Sequence, residues 1–313
     1  MRQRLRPILR GLAWVGLAAA PIGLELWNAR PSEHARRTIG LTALADRIYR
    51  IDGARQVRLD VYLPSEPGRS PARLERRPGV LAVHGGSWTG GSKSEYGPQF
   101  ARLVQHGIVV FVADYKLARP GDPGWPETLQ DLFEAVRWIR RHADEFRVDP
   151  DRLAALGSGA GGHLAALLGT SAATLPGEAS ARVQAVVSLY GPSDLEELIR
   201  HRGLANDPAG VFLGDSLVGV GQAAVFSPIN QISPLVPPML LIHGTDDAWV
   251  PPEQSRRLVD ALARAGVRHR LIEVPGARHG FELEVGFPES RDLVPDVLAF
   301  LESVWQVHLG DQP

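Results

Sequence analysis

One glycine-rich stretch carries the strongest chemical suggestion in the chain: Ala154-Ala155-Leu156-Gly157-Ser158-Gly159-Ala160-Gly161-Gly162-His163-Leu164-Ala165. A short apolar run ends in a burst of glycines and resumes as an Ala/Leu helix. That is the outline of a G-x-S-x-G elbow, where a strand turns sharply into a helix and holds up a serine hydroxyl as nucleophile. Glycines belong there because the turn forces backbones together and a Cβ on either side collides. Aligning the outer glycines on Gly157 and Gly161 puts Gly159 at the nucleophile's own position. The elbow is present and its serine is not. Ser158 is the fallback nucleophile, but its flanking positions are Leu156 and Ala160. Strand alternation also aims it away from the face that residue 159 addresses.

A nucleophile of this kind works with a histidine that moves its proton and an acid that orients the imidazole. Asp247 lies in Ile242-His243-Gly244-Thr245-Asp246-Asp247-Ala248-Trp249-Val250-Pro251, and His279 in Pro275-Gly276-Ala277-Arg278-His279-Gly280-Phe281. Asp246 competes with Asp247, and spacing to Val250-Pro251 favours Asp247. His84-Gly85-Gly86-Ser87-Trp88 closes another apolar run. His84, His163 and His243 read as structural: one shaping a loop, one packing on a helix, one ending a buried strand. No spaced His/Asp/Glu cluster resembles a metal site. Neither a dinucleotide nor a P-loop fingerprint is present, so no cofactor and no metal are expected.

These residues need a scaffold that brings them together. Gln56–Leu63 alternates polar and apolar residues as a half-buried edge strand, and Asp52-Gly53 is a turn. The runs at 79–83 and 108–113 are continuously apolar, as strands buried on both faces are, and further strands are expected at 152–156, 183–190, 239–243 and 269–274. Helices are expected at about 94–105, from Pro126 through Phe146, from the elbow to about Thr170, at about 252–265 and at about 291–306. Between Asp194 and Ile232 the pattern breaks into short helices and loops. Buried strands alternating with helices predict an α/β fold with a doubly wound, mostly parallel sheet and helices on both faces. In such sheets function gathers beyond the carboxyl ends of the strands, where the HGG loop, the elbow, Asp247 and His279 all fall.

Taken together the pieces HGGSW, DYKL, DPDRLAALG, GSGAGGHLA, YGPSDL, HGTDDAWVPPEQS and HGF resemble an α/β-hydrolase of the hormone-sensitive-lipase and feruloyl-esterase-like carboxylesterase group. They cover about residues 56 to 306, and the order elbow, acid, histidine is the one such folds use. The resemblance implies an oxyanion hole from the amides of Gly85, Gly86 and Ala160. Trp88 and Tyr190 are candidates for substrate contact. The 194–232 segment is expected to form a small cap insertion over the pocket within a hydrolase domain spanning 38–313.

With 313 residues, 44% hydrophobic and 22% charged, the chain has ample material for a large core. Its formal net charge of −1 gives no reason to expect nucleic acid as a partner. There is no cysteine, so disulfides and thiolate chemistry are excluded. Residues 1–30 differ from the rest: Arg2, Arg4, Arg6 and Arg10 precede an apolar run from Gly11 to Leu24. That pattern predicts a signal peptide or an N-terminal membrane anchor, hence an exported or membrane-tethered protein, with a cytoplasmic one as the alternative. Glycine at 159 leaves two functional readings. One is a carboxylic-ester hydrolase for small esters or acylated sugars with impaired or altered activity. The other is an inactive homologue that binds a small-molecule ligand.

Overall fold

The computed structural model describes residues 41–64, 76–96, 100–174, 179–202, 207–214, 223–285 and 291–309. The expected signal or anchor at residues 1–30 lies outside the described residues. Among the described residues no helix is long and apolar enough to cross a membrane.

An eight-stranded sheet forms the centre. Its strands are β1 (Leu41–Asp52), β2 (Arg55–Pro64), β3 (Arg77–Val83), β4 (Val109–Ala113), β5 (Val148–Ser158), β6 (Ala185–Leu189), β7 (Met239–Gly244) and β8 (His269–Val274). They lie in the order β1-β2-β4-β3-β5-β6-β7-β8. β1, β2 and β4 pair antiparallel, and every pairing from β4 onward is parallel. The fold is therefore α/β with a mostly parallel, doubly wound sheet.

Strand alternation divides the core into two layers. Leu81, Val83, Val109 and Phe111 face one side. There they meet α2 (Glu127–Arg141), α3 (Ala160–Thr174) and α6 (Glu253–Arg264) through Leu132, Leu164, Leu168 and Leu262. Val80, Ala82, Val110 and Val112 face the other. There they meet α1 (Ala101–Gln105) and α7 (Val294–Trp305) through Leu103, Val104, Val297 and Leu301. Two-sided burial is why Gly79–Val83 of β3 and all of β4 read as unbroken apolar runs, and β6 as one broken only by Ser188.

Two differences from the sequence reading have physical causes. β1 is an additional edge strand, mostly exposed, with Tyr49 its one fully buried side chain among the described residues. Register shifts at Leu44/Arg47 and Ile48/Arg50, and a positive φ at Asp46, break its alternation. The helix expected at 94–105 is two short pieces, Lys93–Tyr96 and α1, because the first is tied down elsewhere. There the Lys93 amide donates to Asp114 Oδ1 at 2.7 Å and its ammonium pairs with Asp60 at 2.8 Å. The 194–232 segment supplies α4 (Leu195–Arg202), α5 (Pro208–Leu213) and a 3₁₀ turn at Pro228–Gln231.

The join between sheet and elbow depends on glycine. A Cβ on Gly161 stands 2.0 Å from Val83 O and 2.6 Å from His84 O; a Cβ on Gly157 stands 2.2 Å from Gly161 O. These contacts are with backbone, which cannot rotate away. Gly161→Ala is expected to destabilise the protein by about 3 kcal/mol or more by forcing α3 off the end of β3. Thermal unfolding checks it: a drop of about 6 °C or more is expected, and an unchanged midpoint contradicts the packing.

Candidate active site

The elbow places residue 159 at its apex. Gly159 has φ of +54°, its amide donates to Leu189 O at 2.9 Å and its carbonyl accepts from His163 N at 3.0 Å. The turn is thus pinned to β6 on one side and to its own helix on the other. A Cβ built on Gly159 lies 3.3 Å from His279 Nε2 and 3.6 Å from Tyr190 Cε2. Ser158 is placed differently. It is buried in the ladder opposite Leu189, beside Gly85 and close to the hydroxyls of Tyr96 and Tyr190. Among the described residues no hydrogen bond joins Ser158 to His279. The fallback nucleophile is therefore corrected: the pleat turns Ser158 away from the imidazole.

Asp247 and His279 meet directly. His279 Nδ1 donates to Asp247 Oδ2 at 2.7 Å. The same oxygen lies 3.3 Å from His243 Nε2, while Oδ1 accepts the amides of Trp249 and Val250 at 2.9 Å each. Burial pushes this carboxyl's pKa up, but the hydrogen bonds from His243 and His279 outweigh it and hold the group well below the usual carboxylate range. Asp247 is accordingly an anion at neutral pH and well below it. Asp246 is exposed; its carboxylate accepts from Thr245 Oγ1 and its amide donates to Ala277 O, which fixes the loop.

His243 does more than end a strand. Its Nε2 donates to Val250 O at 2.9 Å and its Nδ1 bonds Ser255 Oγ at 2.7 Å, so the ring clamps the loop that carries the acid. The four-residue spacing from His243 to Asp247 is the only sequence signal for this contact.

Tyr190 supports the histidine from below. Its ring meets His279 edge-on at 4.7 Å, and its hydroxyl donates to Phe281 O at 2.7 Å. With that hydroxyl engaged and the residue buried, the expected substrate contact is corrected to a platform for the His279 loop, with only a ring edge reaching toward Gly159.

The loop after β3 is built to present amides. His84 Nδ1 donates to Gly85 O at 2.7 Å, and Tyr115 stacks on the imidazole while bonding His84 O at 2.8 Å. Because the peptide is planar and trans, turning the Gly85 carbonyl toward His84 points the Gly86 amide the opposite way. Gly86 takes φ of +109°, and its carbonyl accepts from Thr89 and Gly90. Among the described residues the amides of Gly85 and Gly86 donate to no protein acceptor. Ala160 opens α3, so its amide is one of the helix's unpaired first donors.

Trp88 is corrected as well. It is 2% exposed, stacks on Phe212, and donates from Nε1 to His163 Nδ1 at 3.1 Å. His163 Nε2 in turn donates to Phe226 O at 2.8 Å. The indole therefore locks the glycine loop to α3, to α5 and, through His163, to Phe226, and is buried away from the pocket surface. Burial lowers the pKa of both His84 and His163 to about 4, so both are neutral at neutral pH. His279 keeps 28% of its side chain exposed.

A buried anion, an imidazole oriented by it and a set of amides above a glycine apex can polarise a carbonyl and move a proton. The BD-FAE family profile matches residues 59–262. Esterase LipC of Mycobacterium tuberculosis is 34% identical over 244 residues, covering 72% of this chain and 57% of its own length. Esterase LipQ of the same organism is 32% identical over 82% of this chain and 62% of its own length. The chain thus spans about three fifths of these curated relatives. Among solved structures, a truncated carbohydrate esterase from gut microbiota superposes with a TM-score of 0.73 at 25% identity, covering 85% of this chain and 96% of that one. Thermogutta terrifontis esterase 2, phosphorylated by paraoxon, does so with a TM-score of 0.66 at 26% identity, covering 84% and 94%. By fold, site geometry and sequence, the chain belongs to the BD-FAE family of α/β-hydrolases.

Proposed function

We propose that the chain is a carboxylic-ester-hydrolase scaffold for small esters or acylated sugars, in which Gly159 stands at the nucleophile position. The observation that carries this is the 3.3 Å from a Cβ on Gly159 to His279 Nε2, next to an imidazole already oriented by Asp247. The esterase relatives and the carbohydrate-esterase neighbour support the substrate class.

In this reading the ester carbonyl oxygen accepts from the amides of Gly85, Gly86 and Ala160. With no hydroxyl at 159 there is no acyl-enzyme. His279 Nε2 instead takes a proton from water as that water's oxygen attacks the carbonyl carbon, and Asp247 holds the imidazolium. The leaving alkoxide takes the proton back as the tetrahedral intermediate collapses. Sites stripped of their nucleophile keep about 10³–10⁴ over water, so slow turnover without a burst is expected. The 194–232 segment backs Trp88 through Phe212 and sets Arg202 over the ring of exposed Trp249, two residues beyond the acid. We assign it the selection of the acyl or alcohol group.

Hydrolysis of p-nitrophenyl acetate by purified protein tests the reading. His279→Ala is expected to remove all turnover above background, and Ser158→Ala to leave it unchanged. Loss of activity in Ser158→Ala makes Ser158 the nucleophile and overturns the assignment of residue 159.

A further inference from the structure

We infer that the same site is a receptor for carboxylate anions, the acid half of an ester, and that it takes up one proton at His279 when it binds them. This rests on the reading of Gly85, Gly86, Gly159, Asp247 and His279 as an ester site, and it names the ligand class which glycine at 159 favours.

The site holds more donors than the protein itself engages. A serine at the apex would engage His279 Nε2; Gly159 brings no side-chain atom, and among the described residues Nε2 has no hydrogen-bond partner. The Gly85 and Gly86 amides likewise donate to no acceptor among the described residues. A carboxylate has two equivalent oxygens, one to accept from these amides and one to accept from Nε2. An ester offers one strong acceptor and a weak alkoxy oxygen, so it cannot satisfy both sides equally. Two charge-assisted bonds to the anion favour the acid over the ester.

Charge then sets the proton count. When His279 is neutral, Nδ1 holds the hydrogen given to Asp247 at 2.7 Å, and Nε2 turns a lone pair toward the ligand. A carboxylate there is repelled. Protonation makes Nε2 a donor and the ring a cation between two anions. The charged and titratable groups around the ring are consistent with this. Asp247 is ionised, and Tyr190, at the end of β6, stays neutral because burial raises its phenol. His84 and His163, from the glycine loop and α3, are neutral. Within the histidine's own loop Arg278 and Glu282 carry opposite charges, and His243 lies across Asp247 from the ring.

Calorimetry of the full chain with butyrate tests the inference, using two buffers of different ionisation enthalpy at about pH 5.5 and about pH 8. Saturable binding is expected, weaker by about tenfold or more at the higher pH, with close to one proton taken up per butyrate there. Butyramide, similar in shape but uncharged, is expected to bind at least about tenfold more weakly at the lower pH. Gly159→Ser, which gives Nε2 an internal partner, should weaken butyrate about tenfold. Binding that is absent, or that is indifferent to pH in the unsubstituted chain, overturns the inference without relying on any variant's folding. If Gly159→Ser gains esterase activity while the unsubstituted chain fails to bind butyrate, the inference falls and the ester-site reading stands. If both fail, both fall.

Discussion

Gly159→Ser is expected to raise turnover of p-nitrophenyl acetate by several orders of magnitude, because a nucleophile contributes about 10⁶ in a triad of this kind. The other parts are in place: Asp247 and His279 are 2.7 Å apart, and the new Cβ stands 3.3 Å from Nε2, close enough for its hydroxyl to reach the ring. That distance is tight, so the imidazole must give by a few tenths of an ångström. Its partial exposure and its place on a loop allow that. The φ of +54° at residue 159 is left-handed backbone, which costs a side chain on the order of 1–3 kcal/mol and costs glycine much less. The same substitution should therefore lower Tm by a few degrees while raising activity. Paraoxon gives a second readout, since the solved neighbour from Thermogutta terrifontis is phosphorylated by it. One phosphoryl adduct is expected on the introduced hydroxyl of the Gly159→Ser variant and none at the unsubstituted apex. A folded variant whose activity stays flat and which gains no adduct would refute the ester-site reading.

The parts of this site that were readable in sequence are those whose chemistry is local. The Gly157–Gly161 spacing announces the elbow because backbone clashes at 2.0–2.2 Å leave no alternative to glycine. β3, β4 and β6 announce themselves through burial on both faces. Contacts made across the sheet were not readable. Trp88, next to the glycine loop, looks like a substrate contact until its indole is seen bonded to His163 on α3. Tyr190 gave no sign that its hydroxyl closes on Phe281, 91 residues later. His243 looks like an ordinary strand end, because nothing local shows that β7 and the acid's loop fold back on each other. β1 is hidden for a different reason: bulges and exposure erase the period that a strand is recognised by.

In the Gly159→Ser background, Asp247→Asn is expected to cut kcat by about 10⁴, and Asp246→Asn to leave it within about twofold. Among the described residues the carboxylate of Asp247 accepts from His279 Nδ1 and the amides of Trp249 and Val250, and His243 Nε2 lies 3.3 Å from it. An asparagine keeps one oxygen and sets an N–H₂ group against donors, so some of these lose their acceptor. The imidazole then loses the partner that keeps the hydrogen on Nδ1, and Nε2 ceases to be the base. Asp246, whose side chain bonds only Thr245 Oγ1 among the described residues, has no such leverage. The pH dependence follows with its sign. Asp247 has a folded pKa held below the ordinary carboxylate value. Its contribution to stability is therefore fully present above about pH 4 and is lost only as pH falls through the lowered value. The acid limb of the activity profile should consequently not follow the Asp247 carboxyl, and the acid unfolding midpoint should move upward in pH in the Asp247→Asn variant. Initial rates across pH and an acid titration followed by circular dichroism measure both. An activity loss in Asp246→Asn as large as that in Asp247→Asn would assign the acid's role to the wrong residue of the pair.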